Sequence, residues 1–253
     1  MQIDVLGCYG GQMPGYATSS FLINGKVAVD AGAVTSQIPI AGQTKINAIL
    51  ISHTHLDHIL ELGFLADNIL GKRDRPVKIY GTKECISFIK KHFMNNRIWP
   101  DFTAIPTKED PVLAYEEIEP SKPFEVQGLK CRAIPVDHTI PAVGYIISDE
   151  DSSIVYTGDT GPTKQIWKEA GKLKNLKAVF IEVSFPNKMK GLARHTGHLT
   201  PEMMSKELEK LKLNDFRAYT FHMKPLFIKT LKQEIKKISG PVKITKQGDQ
   251  IKI

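Results

Sequence analysis

A dense group of potential metal ligands lies in the segment His53-Thr54-His55-Leu56-Asp57-His58, called the HTHLDH segment below. It follows an apolar run, residues 47–52, that predicts a buried strand, and it precedes residues 59–67, which predict a helix. Imidazole nitrogens and carboxylate oxygens are the ligands that zinc and its divalent neighbours prefer. A turn at the end of a strand can hold such side chains rigidly. The segment therefore predicts a metal site; the alternative is a polar turn with chance histidines.

Three further potential ligands, His138, Asp159 and His222, each follow a predicted strand later in the chain. Taken alone, either histidine is more often an ordinary strand-end residue, and Asp159 could simply stabilise a turn or cap a helix. With the HTHLDH segment they make seven candidate ligands, too many for one tetrahedral metal. The set suits two metals bridged by Asp159. Two metals about 3.5–4 Å apart can activate water and clamp the attacking and leaving oxygens of a displacement at phosphorus.

The pattern of strands and helices indicates how these side chains are positioned. Strands are predicted at residues 3–8, 19–23, 27–30, 46–51, 77–80, 129–136, 143–148, 153–157, 178–183, 216–221 and 242–245. Helices are predicted at residues 59–67, 82–93, 162–171, 200–211 and 225–237. Loops are predicted at residues 9–17, facing the site, and at residues 187–199, rich in glycine and basic residues. A strand-rich beginning followed by alternating strands and helices predicts two mixed sheets with helices outside, a four-layer α/β sandwich.

The size and composition are those of an ordinary globular protein. The 253 residues are 42% hydrophobic and 24% charged, and we expect a single domain spanning residues 1–253. The net charge of +7 favours acidic ligands such as phosphates or nucleic acid, although lysine-rich solvated faces are the more common explanation. The lysines are scattered, and no basic block is interleaved with aromatic residues. Charge alone therefore does not argue for nucleic-acid binding.

The cysteines and the apolar runs bear on the cellular compartment. Cys8, Cys85 and Cys131 are widely spaced and odd in number, which is typical of free thiols in a reducing compartment. No apolar run approaches the roughly 20 residues that span a bilayer, and the beginning of the chain lacks the pattern of a signal peptide. We therefore expect a cytoplasmic protein with no membrane partner. His92, on a predicted helix among lysines, is predicted to be a surface residue.

The HTHLDH segment followed in order by His138, Asp159 and His222 resembles the metallo-β-lactamase superfamily. The resemblance covers nearly the whole chain, because Asp30-Ala31-Gly32 is also similar to one of that superfamily's strand ends. It implies an αββα fold of the metallo-β-lactamase type and two divalent metal ions, usually zinc and sometimes iron or manganese. It implies that one metal is held by His53, His55 and His138, the other by Asp57, His58 and His222, and both by Asp159. Members of the superfamily often have small residues after the motif, whereas this chain has Leu60 and Glu61. We therefore expect a different pocket wall.

A narrower resemblance links the chain to the class II cyclic-nucleotide phosphodiesterases. It is carried by Leu56 within the HTHLDH segment, by residues 98–102 (IWPDF), by Val143-Gly144-Tyr145 and by Gly197-His198-Leu199-Thr200. Glu182 followed by Ser184-Phe185, and His198 with Thr200, also resemble motifs of the tRNA 3′-processing endonucleases. Both resemblances imply that Glu182 orients His198 and that His198 stabilises or protonates the leaving oxygen. The predicted catalytic residues are therefore Asp57, Glu182 and His198.

The substrate-contacting residues are less sharply indicated. Thr200, Trp99 and Phe185 are candidates, with the aromatic rings stacking on a base. The alternatives are that Thr200 is only a helix N-cap and that the aromatic residues belong to the core.

The resemblances favour a binuclear-metal phosphodiesterase that hydrolyses cyclic AMP or cyclic GMP to the 5′-nucleotide. The first alternative keeps the chemistry and changes the substrate to precursor tRNA, although no long insertion of the kind that would grip tRNA is present. The second alternative is a non-catalytic metal-binding or nucleotide-sensing module, which the full set of candidate ligands disfavours. A β-lactamase or a thioester hydrolase is compatible with the fold alone. Members of this fold often pair, so a homodimer is a further expectation.

Overall fold

The computed structural model describes residues 1–213, 215–240 and 242–253, which form two seven-stranded mixed sheets. The strands of the first half of the chain are β1 (Gln2–Gly7), β2 (Ser20–Ile23), β3 (Val27–Val29), β4 (Ala48–Leu50), β5 (Val77–Thr82) and β6 (Leu113–Ile118). The later strands are β7 (Pro123–Val126), β8 (Leu129–Pro135), β9 (Val143–Ser148), β10 (Ser153–Tyr156), β11 (Leu176–Glu182), β12 (Arg217–Phe221), β13 (Val242–Ile244) and β14 (Gln250–Lys252). The strand orders are β14-β1-β2-β3-β4-β5-β6 and β13-β12-β11-β10-β9-β8-β7.

Short helices flank the two sheets. They are α1 (Ile40–Gln43), α2 (Leu56–Ile59), α3 (Glu61–Ile69), α4 (Lys83–His92), α5 (Gln165–Ala170), α6 (Lys190–His195), α7 (Pro201–Leu208) and α8 (Ile228–Ile235). Three 3₁₀ helices span Asn187–Met189, Glu209–Leu211 and Pro225–Phe227. The predicted four-layer α/β sandwich is confirmed. No helix within the described ranges is long and apolar enough to cross a membrane.

The core lies on both faces of the first sheet, because its central strands β2, β3 and β4 are buried on both sides. On β2, Phe21 points between the sheets, where its ring centroid lies 5.3–5.4 Å from those of Tyr156, Phe180 and Phe221. The next residue, Leu22, belongs to the separate cluster beneath α3 and α4. Successive side chains of a strand point to opposite faces, so a near-continuous apolar run is what a sheet between two layers requires.

Several predicted local features are confirmed. The hairpin between β2 and β3 turns at Asn24 and Gly25, whose φ angles of 49° and 67° fit the left-handed conformation that this dipeptide favours. The hydroxyl of Thr82 accepts a hydrogen bond from Cys85 N–H, and that of Thr200 accepts one from Met203 N–H, so both are N-caps. The three cysteines are buried and free, and His92 is exposed.

Other local predictions were wrong. The helix predicted from residue 59 begins at Leu56, inside the HTHLDH segment, because residues 56–59 already form one helical turn. Residues 187–199, predicted as a loop, contain a 3₁₀ turn and α6. Strand β14 was missed because three residues with one buried side chain give no periodic signal, and only pairing with β1 forms it.

The topology gathers chemically active residues at one edge. Strands β10, β11 and β12 run parallel to one another, and β8 runs in the same direction because it is antiparallel to β9, as β10 is. Their carboxyl ends therefore meet at one edge, as do those of the parallel strands β3 and β4 in the other sheet. Loops at such an edge are where separate strands can deliver side chains to one place.

Candidate metal centre

The HTHLDH segment changes conformation halfway along. His53 and His55 lie on extended backbone beyond β4, and His55 occupies the N-cap position of α2 without capping it through its side chain. Asp57 and His58 lie in the first turn of α2, and their side chains form a second group with His222, although the His58 ring still lies beside that of His53, with 4.2 Å between the centroids. The segment consequently supplies side chains to two neighbouring groups instead of one.

The first group contains His53, His55, His138 and Asp159. The Nδ1 atom of His55 lies 3.1 Å from Nε2 of His53 and 3.1 Å from Nε2 of His138. These three nitrogens face one another at the spacing of ligands around a common ion, which imidazole nitrogens approach at about 2.0–2.1 Å when the ion is zinc.

The second group contains Asp57, His58 and His222. The Nε2 atom of His222 lies 3.4 Å from Nε2 of His58 and 3.2 Å from Oδ2 of Asp57. His222 has a φ of 63°, in the left-handed region that side chains other than glycine seldom adopt. Its backbone N–H donates to the carbonyl of Cys8 at 2.7 Å, which helps to hold this conformation.

Asp159 lies between the two groups. Its Oδ2 atom is 3.7 Å from Nε2 of His53, 3.4 Å from Nε2 of His58 and 3.2 Å from Nε2 of His222. Its Oδ1 atom is buried and has no hydrogen-bond partner among the described residues. A buried carboxylate oxygen without a partner is costly unless something else binds it. This orphaned oxygen and the surrounding nitrogens fit a divalent metal site that includes Asp159.

A layer of hydrogen bonds orients the histidines. Asp30 Oδ2 accepts from Nδ1 of His58 at 2.7 Å, from the hydroxyl of Tyr156 at 2.7 Å and from the hydroxyl of Ser52 at 2.8 Å. Oγ of Ser52 lies 3.0 Å from Nδ1 of His53. Because Nδ1 of His58 faces a carboxylate, it carries a proton, and Nε2 is the nitrogen that faces the second group and would bind an ion there.

A second hydrogen-bonded chain lies across the site from Asp30. Oε1 of Glu182 lies 2.7 Å from Nδ1 of His198, and Oε2 accepts from the Ser184 hydroxyl at 3.1 Å. Oγ of Ser184 lies 2.9 Å from Nδ1 of His222, so one buried chain connects Glu182 with both histidines. His138 is oriented separately, since its Nδ1 donates to the carbonyl of Gly197 at 2.8 Å.

Comparison with known proteins identifies the family. A family model described as "Beta-lactamase superfamily domain" matches residues 25–223, well over half of the chain. The chain belongs to this superfamily. The same fold is seen in yeast PDE1, solved without ligand, which superposes with a TM-score of 0.84 at 20% identity over 98% of both chains. The YhfI protein of Bacillus subtilis, a metallo-beta-lactamase fold protein, gives a TM-score of 0.79 at 21% identity over 99% of both chains.

Similar sequences within the superfamily include phosphodiesterases and ribonucleases. A Yersinia pestis protein named "Probable 3′,5′-cyclic-nucleotide phosphodiesterase" is 28% identical over 86% of this chain and 69% of its own length. The 3′,5′-cyclic-nucleotide phosphodiesterase of Aliivibrio fischeri is 27% identical over 87% of this chain and 80% of its own. Ribonuclease Z of Pyrococcus abyssi is 31% identical over 49% of this chain and 39% of its own. This member of the beta-lactamase superfamily is a metal-dependent hydrolase.

The charges around the two ligand groups set the protonation of this hydrolase's histidines. Burial and the nearby charge of His58 lower the pKa of His53 well below its usual value, so His53 stays neutral and able to bind a metal. At His58, burial also lowers the pKa, but the carboxylates of Asp159 and Asp30 outweigh it and raise the pKa well above its usual value. An ion that binds His58 must therefore displace a proton. At His198 the nearby Glu182 outweighs burial and raises the pKa.

The remaining predicted residues lie at different distances from the centre. The Phe185 ring centroid is 5.8 Å from that of His198, and Thr200 is fully buried as the N-cap of α7. Trp99 packs instead on α3, with its ring against Phe64, where a Cβ added to Gly63 would lie 2.8 Å from its Nε1. The structure does not bring Trp99 together with the ligand groups.

The two residues that depart from the superfamily pattern also have defined places. Glu61 is buried, and its Oε2 accepts hydrogen bonds from the backbone N–H groups of Thr35 and Ser36. It therefore anchors a loop, whereas Leu60 is half-buried in the link between α2 and α3. On the opposite side, the predicted loop at residues 9–17 does approach the site, because a Cβ on Gly10 would come within 2.7 Å of Nδ1 of His222.

Sequence reasoning did not assign a role to Asp30, Ser52, Tyr156 or Ser184. Asp30 carried a signal, since it ends a strand in Asp30-Ala31-Gly32, and its φ of 58° shows a backbone held in the left-handed region. Ser184 also carried a signal, as part of the motif in which Glu182 is followed by Ser184-Phe185, whereas Ser52 and Tyr156 look like ordinary strand-end residues in the sequence. Only the closure of one sheet on the other shows which histidine each of them supports.

Proposed function

We propose that the chain is a binuclear metal phosphodiesterase that hydrolyses 3′,5′-cyclic nucleotides to 5′-nucleotides. The observation that carries this proposal is the buried Glu182–His198 pair beside two ligand groups. Asp159 belongs to the first group, and its Oδ2 lies 3.2–3.4 Å from the two histidines of the second. Two ligand groups alone would suit many hydrolases, whereas a histidine held by a carboxylate supplies a proton for a poor leaving group. The two relatives named cyclic-nucleotide phosphodiesterases, aligned over 86% and 87% of the chain, support this class of substrate.

The proposed ligands follow the two groups described above. One ion would be held by His53, His55 and His138, the other by Asp57, His58 and His222, and Asp159 would contact both. The three imidazoles of the first group favour zinc, with manganese or iron as alternatives. Two such ions would supply a nucleophile from water at neutral pH and neutralise charge on the phosphate oxygens.

The chain's own residues manage the leaving group. Glu182 accepts the Nδ1–H of His198 and favours the protonated imidazole by raising its pKa, which leaves Nε2–H as the proton donor. When the bond between phosphorus and the 3′-oxygen breaks, Nε2 of His198 gives its proton to that oxygen, which becomes the ribose hydroxyl. Ser184 connects the same carboxylate to His222, so it positions one proposed ligand and the proton donor together. Phe185 borders His198 but is only 6% exposed and packs in the core, so only the exposed edge of its ring would contact the substrate.

The deciding experiment loads the purified protein with zinc and follows cyclic AMP and cyclic GMP by chromatography of the 5′-nucleotide. We expect turnover of at least one, two zinc ions per chain by metal analysis, and loss of turnover in Asp159→Asn. Hydrolysis of bis(p-nitrophenyl) phosphate without hydrolysis of either cyclic nucleotide would refute the substrate and retain the phosphodiesterase chemistry. Absence of both activities in the fully loaded protein would refute the whole proposal.

Processing of the 3′ end of tRNA is the second candidate function. The similarity to ribonuclease Z favours it, as do the basic side chains of Lys188, Lys190 and Arg194 in and before α6, close in sequence to His198. RNA binding of this kind weakens steeply with salt, because each phosphate contact releases a counterion. Cleavage of a precursor tRNA at a rate above that of cyclic nucleotides would favour this candidate.

The compartment and the assembly complete the proposal. Three buried free thiols fit a reducing compartment such as the cytoplasm. A homodimer is proposed as well, and light scattering during gel filtration would measure the mass directly. A monomeric mass would refute the dimer without affecting the chemistry.

A further inference from the structure

An open groove beside the first ligand group has no role in the chemistry described above. One part of it, a cleft of about 230 Å³, is lined by His55, Glu84, Phe88, Ile140 and Pro141, among others. An adjoining cleft of about 430 Å³ shares Glu84, Ile140 and Pro141 and extends to His138. The groove therefore begins at two proposed ligands of one ion and runs to the first turns of α4.

The walls of the smaller cleft combine an aromatic ring, apolar side chains and one carboxylate. Phe88 is 47% exposed, and its ring centroid lies 4.6 Å from that of His92 on the same helix. Ile140 and Pro141 supply the apolar surface from the loop after β8. Glu84 is exposed and forms no hydrogen bond or ion pair within the described parts of the chain, so its carboxylate is available to a ligand.

We propose that this cleft binds the base of the nucleotide and that Glu84 makes the site prefer guanine to adenine. The inference rests on the proposed function, because it assumes that a nucleotide phosphate lies at the two ligand groups. A base that lies flat against Phe88 would cover the exposed surface of that ring. Such stacking is available to every base and does not distinguish one from another. The smaller cleft falls below the roughly 300–1,000 Å³ of pockets for drug-sized ligands, which fits a single base.

The preference for guanine follows from the chemistry of the carboxylate. An ionised carboxylate only accepts hydrogen bonds. Guanine presents two adjacent donors, the ring N1–H and the exocyclic amino group, which can bind both carboxylate oxygens. Adenine presents an amino group beside an N1 acceptor, so the second oxygen would face another acceptor. A well-formed bidentate pair discriminates between bases by roughly 5- to 150-fold, and we expect the lower end because Glu84 is exposed.

Glu84 also lies in the first turn of α4, where an acidic side chain stabilises the helix dipole. That role would affect folding or stability and would not distinguish one base from another. The test must therefore compare two bases on the same protein.

The experiment measures inhibition of bis(p-nitrophenyl) phosphate hydrolysis by 5′-GMP and by 5′-AMP. For the wild type we expect a Ki for GMP about 5- to 10-fold below that for AMP. Glu84→Gln should bring the two constants close together, mainly by weakening GMP. Glu150→Gln, which removes an exposed carboxylate from the turn between β9 and β10, should leave the ratio unchanged. Phe88→Leu should weaken both nucleotides to a similar extent.

Equal constants for GMP and AMP in the wild type, or an unchanged ratio in Glu84→Gln, would overturn the inference. If the wild type does not hydrolyse the nitrophenyl ester, the proposed function fails. The base preference is then measured by direct titration of the zinc-loaded protein with GMP and AMP, as the ratio of the two dissociation constants. The two failures are therefore distinguishable.

Discussion

Replacing His198 with asparagine tests the proposed general acid most directly. His198 is 7% exposed, and its Nδ1 lies 2.7 Å from Oε1 of Glu182. Alanine would remove the histidine from that buried carboxylate and leave it only the backbone N–H of Thr160 and the hydroxyl of Ser184, which costs stability in its own right. The asparagine amide can donate to Glu182 in place of Nδ1–H, but it has no proton to give to a leaving group. The substitution therefore removes proton transfer while retaining the hydrogen bond.

The loss of kcat expected in His198→Asn depends on the leaving group of the substrate. A ribose 3′-oxygen leaves poorly as an alkoxide, so loss of a positioned acid should lower kcat for a cyclic nucleotide by about 10²- to 10⁴-fold. p-Nitrophenolate is stable without a proton, so kcat for bis(p-nitrophenyl) phosphate should fall much less. Because His198 must be protonated and Glu182 raises its pKa, wild-type kcat for the cyclic nucleotide should fall as the pH rises through that pKa. This alkaline decline should be absent in the variant.

The assay compares kcat for both substrates across pH, with metal content measured for each protein. His195→Asn is the matched control, since His195 is exposed and lies three residues before His198; its kinetics should match the wild type. Equal losses with both substrates in His198→Asn, at full metal content, would refute a role at the leaving oxygen.

Four further predictions follow from the same geometry. Glu182→Gln should shift the alkaline decline of kcat to lower pH. It should also reduce kcat by roughly 10- to 150-fold, since hydrogen bonds to charged groups contribute about 1.5–3 kcal/mol. If the pH of the decline did not change, the orienting role of Glu182 would be contradicted. Asp30→Asn should weaken zinc affinity by about 10- to 100-fold in chelator competition, since it removes the partner of His58, whereas Asp4→Asn should not. Zinc binding at neutral pH should release a proton from His58 into a weakly buffered solution; no release would contradict its raised pKa. Trp99→Phe should leave KM unchanged because Trp99 packs on α3, and a raised KM would place it in the substrate site after all.

Much of the fold was predictable because its strands and caps are local. The hairpin at Asn24-Gly25 and the caps at Thr82 and Thr200 follow from turn and cap preferences of a few residues. Strand β14 was not predicted, since it exists only as a partner of β1. The helical turns within residues 187–195 were not predicted, since the glycine and basic residues there suggested a loop. The single-domain organisation and the roles of the individual ligands stay predictions.

The sequence by itself determined which atoms could bind metal. The HTHLDH segment, His138, Asp159 and His222 are unusual enough in type and order to indicate two metals without any coordinates. Only the tertiary structure decided which side chains of the segment belong to which ligand group. Because α2 begins at Leu56, the backbone turns between His55 and Asp57 and sends their side chains to different groups. Likewise, only the closure of the two sheets brings Asp30 of one against Tyr156 of the other, with His58 bound to the same carboxylate. These contacts join residues that lie far apart in the chain, and local sequence preferences carry no information about them.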